Sequence, residues 1–302
     1  MSFDGLLSLY LDSLRSKRRA ESQLKAATQG LSRFFAHLER KRIRNARQVR
    51  EADVVSFVRG LARERSARTG RRLAPNTCSM YVSIVRRFFA FLEERGLVFQ
   101  SPARDVPLPA RIRLPRAIGE ADIARLLEAP DTKTPLGQRD RALLELLYGS
   151  GLRLKECVRL DLVDLDLKTG TLLVRNGKGK KDRYVPVTGR ARAAVVTYLQ
   201  EARPLLAERW DDGSLFLSKY GRRLGEMSVR SVVKRAGAKM GLKVTTHVLR
   251  HSYATHLLKG GADVRHVQKL LGHKDISTTT LYTKVDTTSL GSMLRRCHPR
   301  ER

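Results

Sequence analysis

Thr246-His247-Val248-Leu249-Arg250-His251, followed by Leu270-Leu271-Gly272-His273 and then by Tyr282, is where the architecture of this chain first becomes readable. Thr246 can cap a helix whose next thirteen residues keep a helical pattern until Gly260-Gly261 stops it. His247, Arg250 and His251 then share one face at i, i+3, i+4, with Leu249, Tyr253 and Leu257 on another. One face is left for packing and one for chemistry. In the first turn the helix dipole disfavours positive charge, so His247 is read as a candidate proton acceptor. Arg250 does not titrate, and it offers a planar donor fork matched to a phosphate. A second helix, capped by Asp263, is expected to turn Val264, Val267, Leu270 and Leu271 inward and to end at Gly272, with His273 just beyond. Taken singly, each polar residue here reads as packing or surface. The joint order carries the weight: His-x-x-Arg-His, then Leu-Gly-His, then a tyrosine nine residues on.

Outside this stretch, charge sets the class. The 302 residues include 60 Lys and Arg against 30 Asp and Glu, a formal net charge of +30, in a chain that is 41% hydrophobic. That describes a folded protein with a polyanion as partner, DNA or RNA, and not a disordered basic tail. The length suits two ordinary domains. No long apolar run is present, and the apolar residues Leu6 to Leu14 are interrupted by Asp12 and lack a cleavage site, so no membrane role and a cytoplasmic location are expected. Cys78, Cys157 and Cys297 are odd in number and far apart, which predicts neither a disulfide framework nor a thiolate metal site.

From Phe3 to about Leu97 the pattern is helical, with segments near Phe3 to Ser16, Arg19 to Arg40, Asp53 to Arg65 and Asn76 to Glu94. The last is started by Pro75 and Asn76, repeats Met80, Ile84, Val85, Phe88 and Leu92 at helical spacing, and has Arg86 and Arg87 on its polar side. Residues 1–100 are therefore read as one helical domain. Residues 101–117 read as a stiff, basic linker in which Pro102, Pro107, Pro109 and Pro115 are interleaved with Arg104, Arg111 and Arg113.

A second domain, 118–302, opens with helices near Glu120 to Glu128 and Arg139 to Tyr148. After Gly149-Ser150-Gly151 the chain restarts, with Arg153 and Glu156 at i, i+3 on one face, which lets the carboxylate orient the guanidinium. Two strand-like runs, Thr171 to Arg175 and Arg183 to Val187, flank a Gly/Asn hairpin whose lysines project from its tip. The Walker pattern is absent, so ATP hydrolysis is not implied. Helices follow over Ala191 to Ala207 and Ser228 to Gly237, and the terminal segment carries Leu290, Met293, Leu294 and Cys297 as an apolar stripe.

On Gly151, Arg153 and Glu156, on Thr246 to His251, on Leu270 to His273 and on Thr279-Thr280-Leu281-Tyr282-Thr283, the chain resembles the tyrosine site-specific recombinases of the phage integrase family, the simple Xer type above all. The resemblance implies a mainly α fold with a small antiparallel β-sheet: an N-terminal helical, SAM-like core-binding domain plus an α+β catalytic domain, its terminal helix docking on a neighbouring subunit. It implies Tyr282 as nucleophile, Arg153 and Arg250 clamping the scissile phosphate, Lys178 as proton donor, His247 assisting proton movement, His273 bonding the phosphate, and Glu156 in support. Arg86, Arg87, Lys180, Lys181 and Arg183 are then expected to contact DNA phosphates. No metal and no cofactor are implied; the partners are duplex DNA bearing a recombination site, further copies forming a tetramer on it, and optionally a second recombinase. Three rival readings stay open at this point: a non-catalytic DNA-binding protein on the same fold, a metal-dependent nuclease or transposase using the histidines, and a type IB topoisomerase, which shares the chemistry but relaxes supercoils without choosing a sequence. The second lacks H-E-x-x-H and clustered carboxylates.

Overall fold

Ser2 accepts a hydrogen bond from the backbone N–H of Gly5 and so starts α1, Phe3–Ser16. In this computed structural model the described residues are 2–65, 69–107, 117–175, 182–207, 211–272 and 284–301, the side chains of 284–289 excepted. They fall into two compact units, Met1–Leu114 and Pro115–Arg302.

The first unit continues with α2 (Glu21–Arg40), α3 (Glu51–Arg63) and α4 (Pro75–Glu94). Pro75 begins α4 because its missing N–H falls where no intrahelical partner exists. Aromatic rings fill the centre. Phe34 meets Phe57 edge to face at 5.0 Å, and Phe3 stacks on Phe35 at 4.7 Å. Phe34, Phe88 and Phe89 are fully buried, each contributing about 1.5–3 kcal/mol by leaving water. Gly30 lets α2 approach α4, since a Cβ there would lie 3.0 Å from Ile84 Cδ1. Met80, expected on the inner stripe of α4, is instead exposed.

The second unit is built around α6, Pro135–Gly149, whose Leu143, Leu144, Leu146 and Leu147 are all buried. From Ala142 to Gly149 every residue of α6 is buried, Glu145 included, so this stretch is covered on every side. Around it lie α5 (Glu120–Glu128), α7 (Leu154–Val158), α8 (Gly189–Thr197), α9 (Arg203–Leu206), α10 (Glu226–Ala238), α11 (Thr246–Lys259), α12 (Val264–Leu271) and α13 (Lys284–Cys297). A three-stranded antiparallel sheet runs β1 (Leu165–Asp166), β2 (Thr171–Val174), β3 (Arg183–Pro186), with Leu172 opposite Val185. The helix expected over Ala191 to Ala207 is interrupted by a π-helical turn, Tyr198–Ala202. Pro204, lacking an N–H to donate, forces the ladder to rearrange there.

The apolar stripe of the terminal helix is covered within its own unit. Leu290, Met293, Leu294 and Cys297 are buried in the core of their own unit, together with Leu257 and Leu271. Beyond α13, His298 is buried, and the Arg300 guanidinium reaches the buried carboxylate of Glu145. An i, i+3, i+4, i+7 stripe says that a face is covered, not which chain covers it. Here the covering is intramolecular.

Candidate active site

Gly151 stands at φ +57°, in the left-handed region, and a Cβ there would fall 2.5 Å from Tyr253 Cδ1. Only glycine fits that turn without displacement, and the turn delivers Arg153 to the start of α7. Glu156, three residues on, accepts from the Arg153 backbone N–H at 2.8 Å and from Arg153 Nη1 at 2.7 Å. The capping carboxylate thus fixes both the helix end and the side chain.

Arg250 comes from α11, which is capped by Thr245, one residue earlier than the sequence implied; the Thr245 hydroxyl accepts from Val248 N–H at 3.2 Å. Its guanidinium, 7% exposed, donates to the Gly151 carbonyl at 2.5 Å and to the Leu271 carbonyl. Arg153 Nη2 donates to the next carbonyl, Gly272, at 3.0 Å. Gly272 is left-handed at φ +61° and ends α12, so its carbonyl and that of Leu271 belong to the negative pole of that helix. Two guanidiniums from distant parts of the chain therefore meet at the end of α12, one residue before His273.

Glu156 lies between them. Burial pushes its carboxyl up, but hydrogen bonds from Arg183, the Arg183 charge and the bonds from Arg153 outweigh burial and hold it down at about 2. Burial, and then the neighbouring Arg153 charge, lower Arg250 to about 10, which leaves it cationic at neutral pH. Arg250 Nη1 stands 4.0 Å from Glu156, close enough for attraction without a direct bond.

His247 is exposed in the first turn of α11, whereas Arg250 is buried and His251 half-buried. The helix face expected to be uniform is thus graded from solvent to core. Val264, expected inward on α12, is 54% exposed, while Val267, Leu270 and Leu271 are buried as anticipated. Lys178, Lys180, Lys181, His273 and Tyr282 lie outside the described residues.

Arg183 is a correction. Expected as a phosphate contact on the hairpin, it is buried, with Nη1 and Nη2 bonded to the two Glu156 oxygens at 3.0 and 2.9 Å and Nε 3.3 Å from the Leu270 carbonyl. Strand alternation carried the signal, since Arg183 has the parity of the fully buried Val185. In the first unit, Arg86 is committed to the carbonyls of Ala103 and Arg104, while Arg87 is exposed and donates to Ser83 O at 3.1 Å.

Comparison with known proteins gives the family of the chain. The phage integrase family profile matches residues 116–289, and that of the phage integrase N-terminal SAM-like domain matches 7–96. The chain is 39% identical over 303 residues to tyrosine recombinase XerD of Mycobacterium tuberculosis, covering 97% of each chain. It is 35% identical over 289 residues to tyrosine recombinase XerD of Listeria innocua, covering 94% of this chain and 95% of the other. In fold it is similar to a lambda integrase dimer bound to a COC′ core site, with TM-score 0.69 and 16% identity, covering 94% of this chain and 100% of that one. The Tn1549 transposon integrase in complex with circular intermediate DNA gives TM-score 0.69 and 18% identity, covering 94% and 97%. The chain belongs to the phage integrase family and is a tyrosine recombinase, an enzyme of site-specific recombination with a SAM-like N-terminal domain followed by an integrase catalytic domain.

Proposed function

We propose that this enzyme cuts and rejoins duplex DNA at a specific site through a 3′-phosphotyrosyl intermediate, exchanging strands between two duplexes within a tetramer. The observation that supports it most is the meeting of the Arg153 and Arg250 guanidiniums at the carbonyls of Gly272 and Leu271. Each keeps further N–H donors for a phosphate, and both stay charged, so together they stabilise a pentacoordinate phosphorus as negative charge builds. Tyr282 Oη attacks phosphorus, forming the O–P bond while the bond to the 5′ oxygen breaks. The phenol, with a free pKa of about 10, gives up its proton with help from His247, and Lys178 protonates the departing 5′ oxygen. His273 bonds a non-bridging oxygen. Attack by the 5′ hydroxyl of the partner duplex reverses these steps, and because bond energy is conserved in the intermediate no ATP is needed.

In the same reading residues 1–100 grip one side of the duplex, 101–117 form the connector, and 118–302 carry the chemistry. Arg87, Lys180 and Lys181 contact phosphates. A nicked suicide substrate tests the reaction. Wild-type protein should become covalently attached to it in the presence of EDTA, whereas Tyr282→Phe should bind the DNA and yield no adduct. Adduct formation by the Phe variant would place the nucleophile elsewhere, and loss of the wild-type adduct with EDTA would favour a metal-dependent enzyme.

A further inference from the structure

Three guanidiniums, not two, meet at the end of α12. Arg183, Arg250 and Arg153 donate in turn to the successive carbonyls of Leu270, Leu271 and Gly272. Arg153 spends its terminal nitrogens on Glu156 and Gly272, and Arg250 on Gly151 and Leu271, but Arg183 turns both of its own to Glu156 and is 5% exposed. A Cβ on Gly272 would lie 3.4 Å from Arg183 Cζ and Nε, so the guanidinium is packed beneath that glycine.

We infer that Arg183 is a positioning residue for the recombination reaction: anchored on β3, it holds Glu156 and the last turn of α12 so that Arg153 and Arg250 converge on one phosphate. The inference rests on the reading under Proposed function. Two physical reasons support it. A carboxylate with only Arg153 and Arg250 for partners would draw both guanidiniums toward itself and away from substrate. With Arg183 supplying its bidentate bonds, Glu156 orients Arg153 while standing 4.0 Å from Arg250. Charge is the second reason. Three guanidiniums and one carboxylate leave the cluster at +2, whereas the clamp and Glu156 alone would amount to +1. The larger value suits a phosphodiester gaining a second negative charge in its transition state.

The test uses full-length Arg183→Lys, Glu156→Gln and the double variant, with the nicked suicide substrate and salt-dependent binding of the same duplex. Lysine keeps the charge but not the fork. Arg183→Lys should slow single-turnover cleavage at saturating DNA by about 10- to 100-fold, the range for residues that orient groups touching substrate. Affinity for DNA and its salt dependence should be unchanged. Since Arg183 acts through Glu156, the double variant should be no slower than the slower single. Multiplying effects would overturn this and make Arg183 an independent actor. Normal cleavage at saturation with weakened binding, together with a salt slope reduced by about one when the charge is removed in Arg183→Gln, would make it a phosphate contact after all. A lowered melting temperature with unchanged cleavage would reduce it to a packing role. Absence of a covalent adduct from the wild type would instead sink the recombination reaction itself, a result separable from all of these.

Discussion

Arg153 Nη2 and the Gly272 carbonyl oxygen are 3.0 Å apart although the residues are separated by 119 positions in the chain. The contact ties the start of α7 to the end of α12, and the same guanidinium is held by Glu156 at 2.7 Å. A lysine at 153 can reach one of these partners but not both while also facing a phosphate. Arg153→Lys should therefore leave DNA affinity within a fewfold of wild type and reduce covalent capture by about 100-fold or more, the scale of losing one preorganised donor. Rapid-quench cleavage set beside a binding isotherm checks this; capture at the wild-type rate would remove Arg153 from the clamp.

Arg250 is the more deeply buried of the two guanidiniums. It is buried and satisfies the carbonyls of Gly151 and Leu271 together. Arg250→Lys leaves at least one of them unpaired, costing about 1–3 kcal/mol in addition to the catalytic loss. The expected pattern is a lower denaturation midpoint together with abolished capture. An unshifted midpoint would mean that the carbonyls find other partners.

Gly151 gives a sharper steric prediction. Alanine would meet the Tyr253 ring at 2.5 Å and would need a left-handed backbone, roughly 2 to 5 kcal/mol in all. Gly151→Ala should misplace Arg153 and Arg250 at once, because both are organised around that turn. Thermal unfolding and cleavage should both suffer. A stable, fully active Ala variant would show that the turn can be made another way.

Where local chemistry acts alone, the sequence could be read closely. Gly272 ends α12 because a left-handed cap needs glycine, and Asp263 starts it through a side-chain bond to the Arg265 N–H. Arg153 and Glu156 were legible because i, i+3 spacing at a helix start brings a carboxylate to the capping position. Periodicity is silent on how far a covering layer extends, so the exposure of Val264 and Met80 escaped it. β1 is two residues long, too short to show alternation. Charge misleads at Arg183, because a basic residue beside a lysine-rich hairpin looks solvated until a buried carboxylate is placed opposite. The stripe on α13 fits any apolar groove, and periodicity does not say that its own core supplies one.

The tail beyond α13 makes a prediction about acid stability. His298 is fully buried, its ring 5.0 Å from that of Tyr148 and 5.4 Å from that of Tyr253, and its Nδ1 accepts from the Arg300 N–H at 3.1 Å. Burial, then the charges of His256 and Arg300, lower it from 6.5 to about 3. Between those values the unfolded chain binds a proton that the folded chain refuses. The stabilisation is therefore complete above pH 6.5 and is lost progressively as pH falls toward 3. Glu156, depressed from 4.5 to about 2, adds a second loss that sets in only below about pH 4.5. His298→Asn keeps an acceptor for Arg300 and removes the titration. Relative to wild type, its unfolding free energy should vary less with pH between 4.5 and 6, by up to about 1.4 kcal/mol per pH unit. Urea denaturation at several pH values measures the difference between the two slopes. Parallel slopes would mean that His298 already takes up its proton in the folded protein, and that the tail is not seated as the Arg300 contact with Glu145 requires.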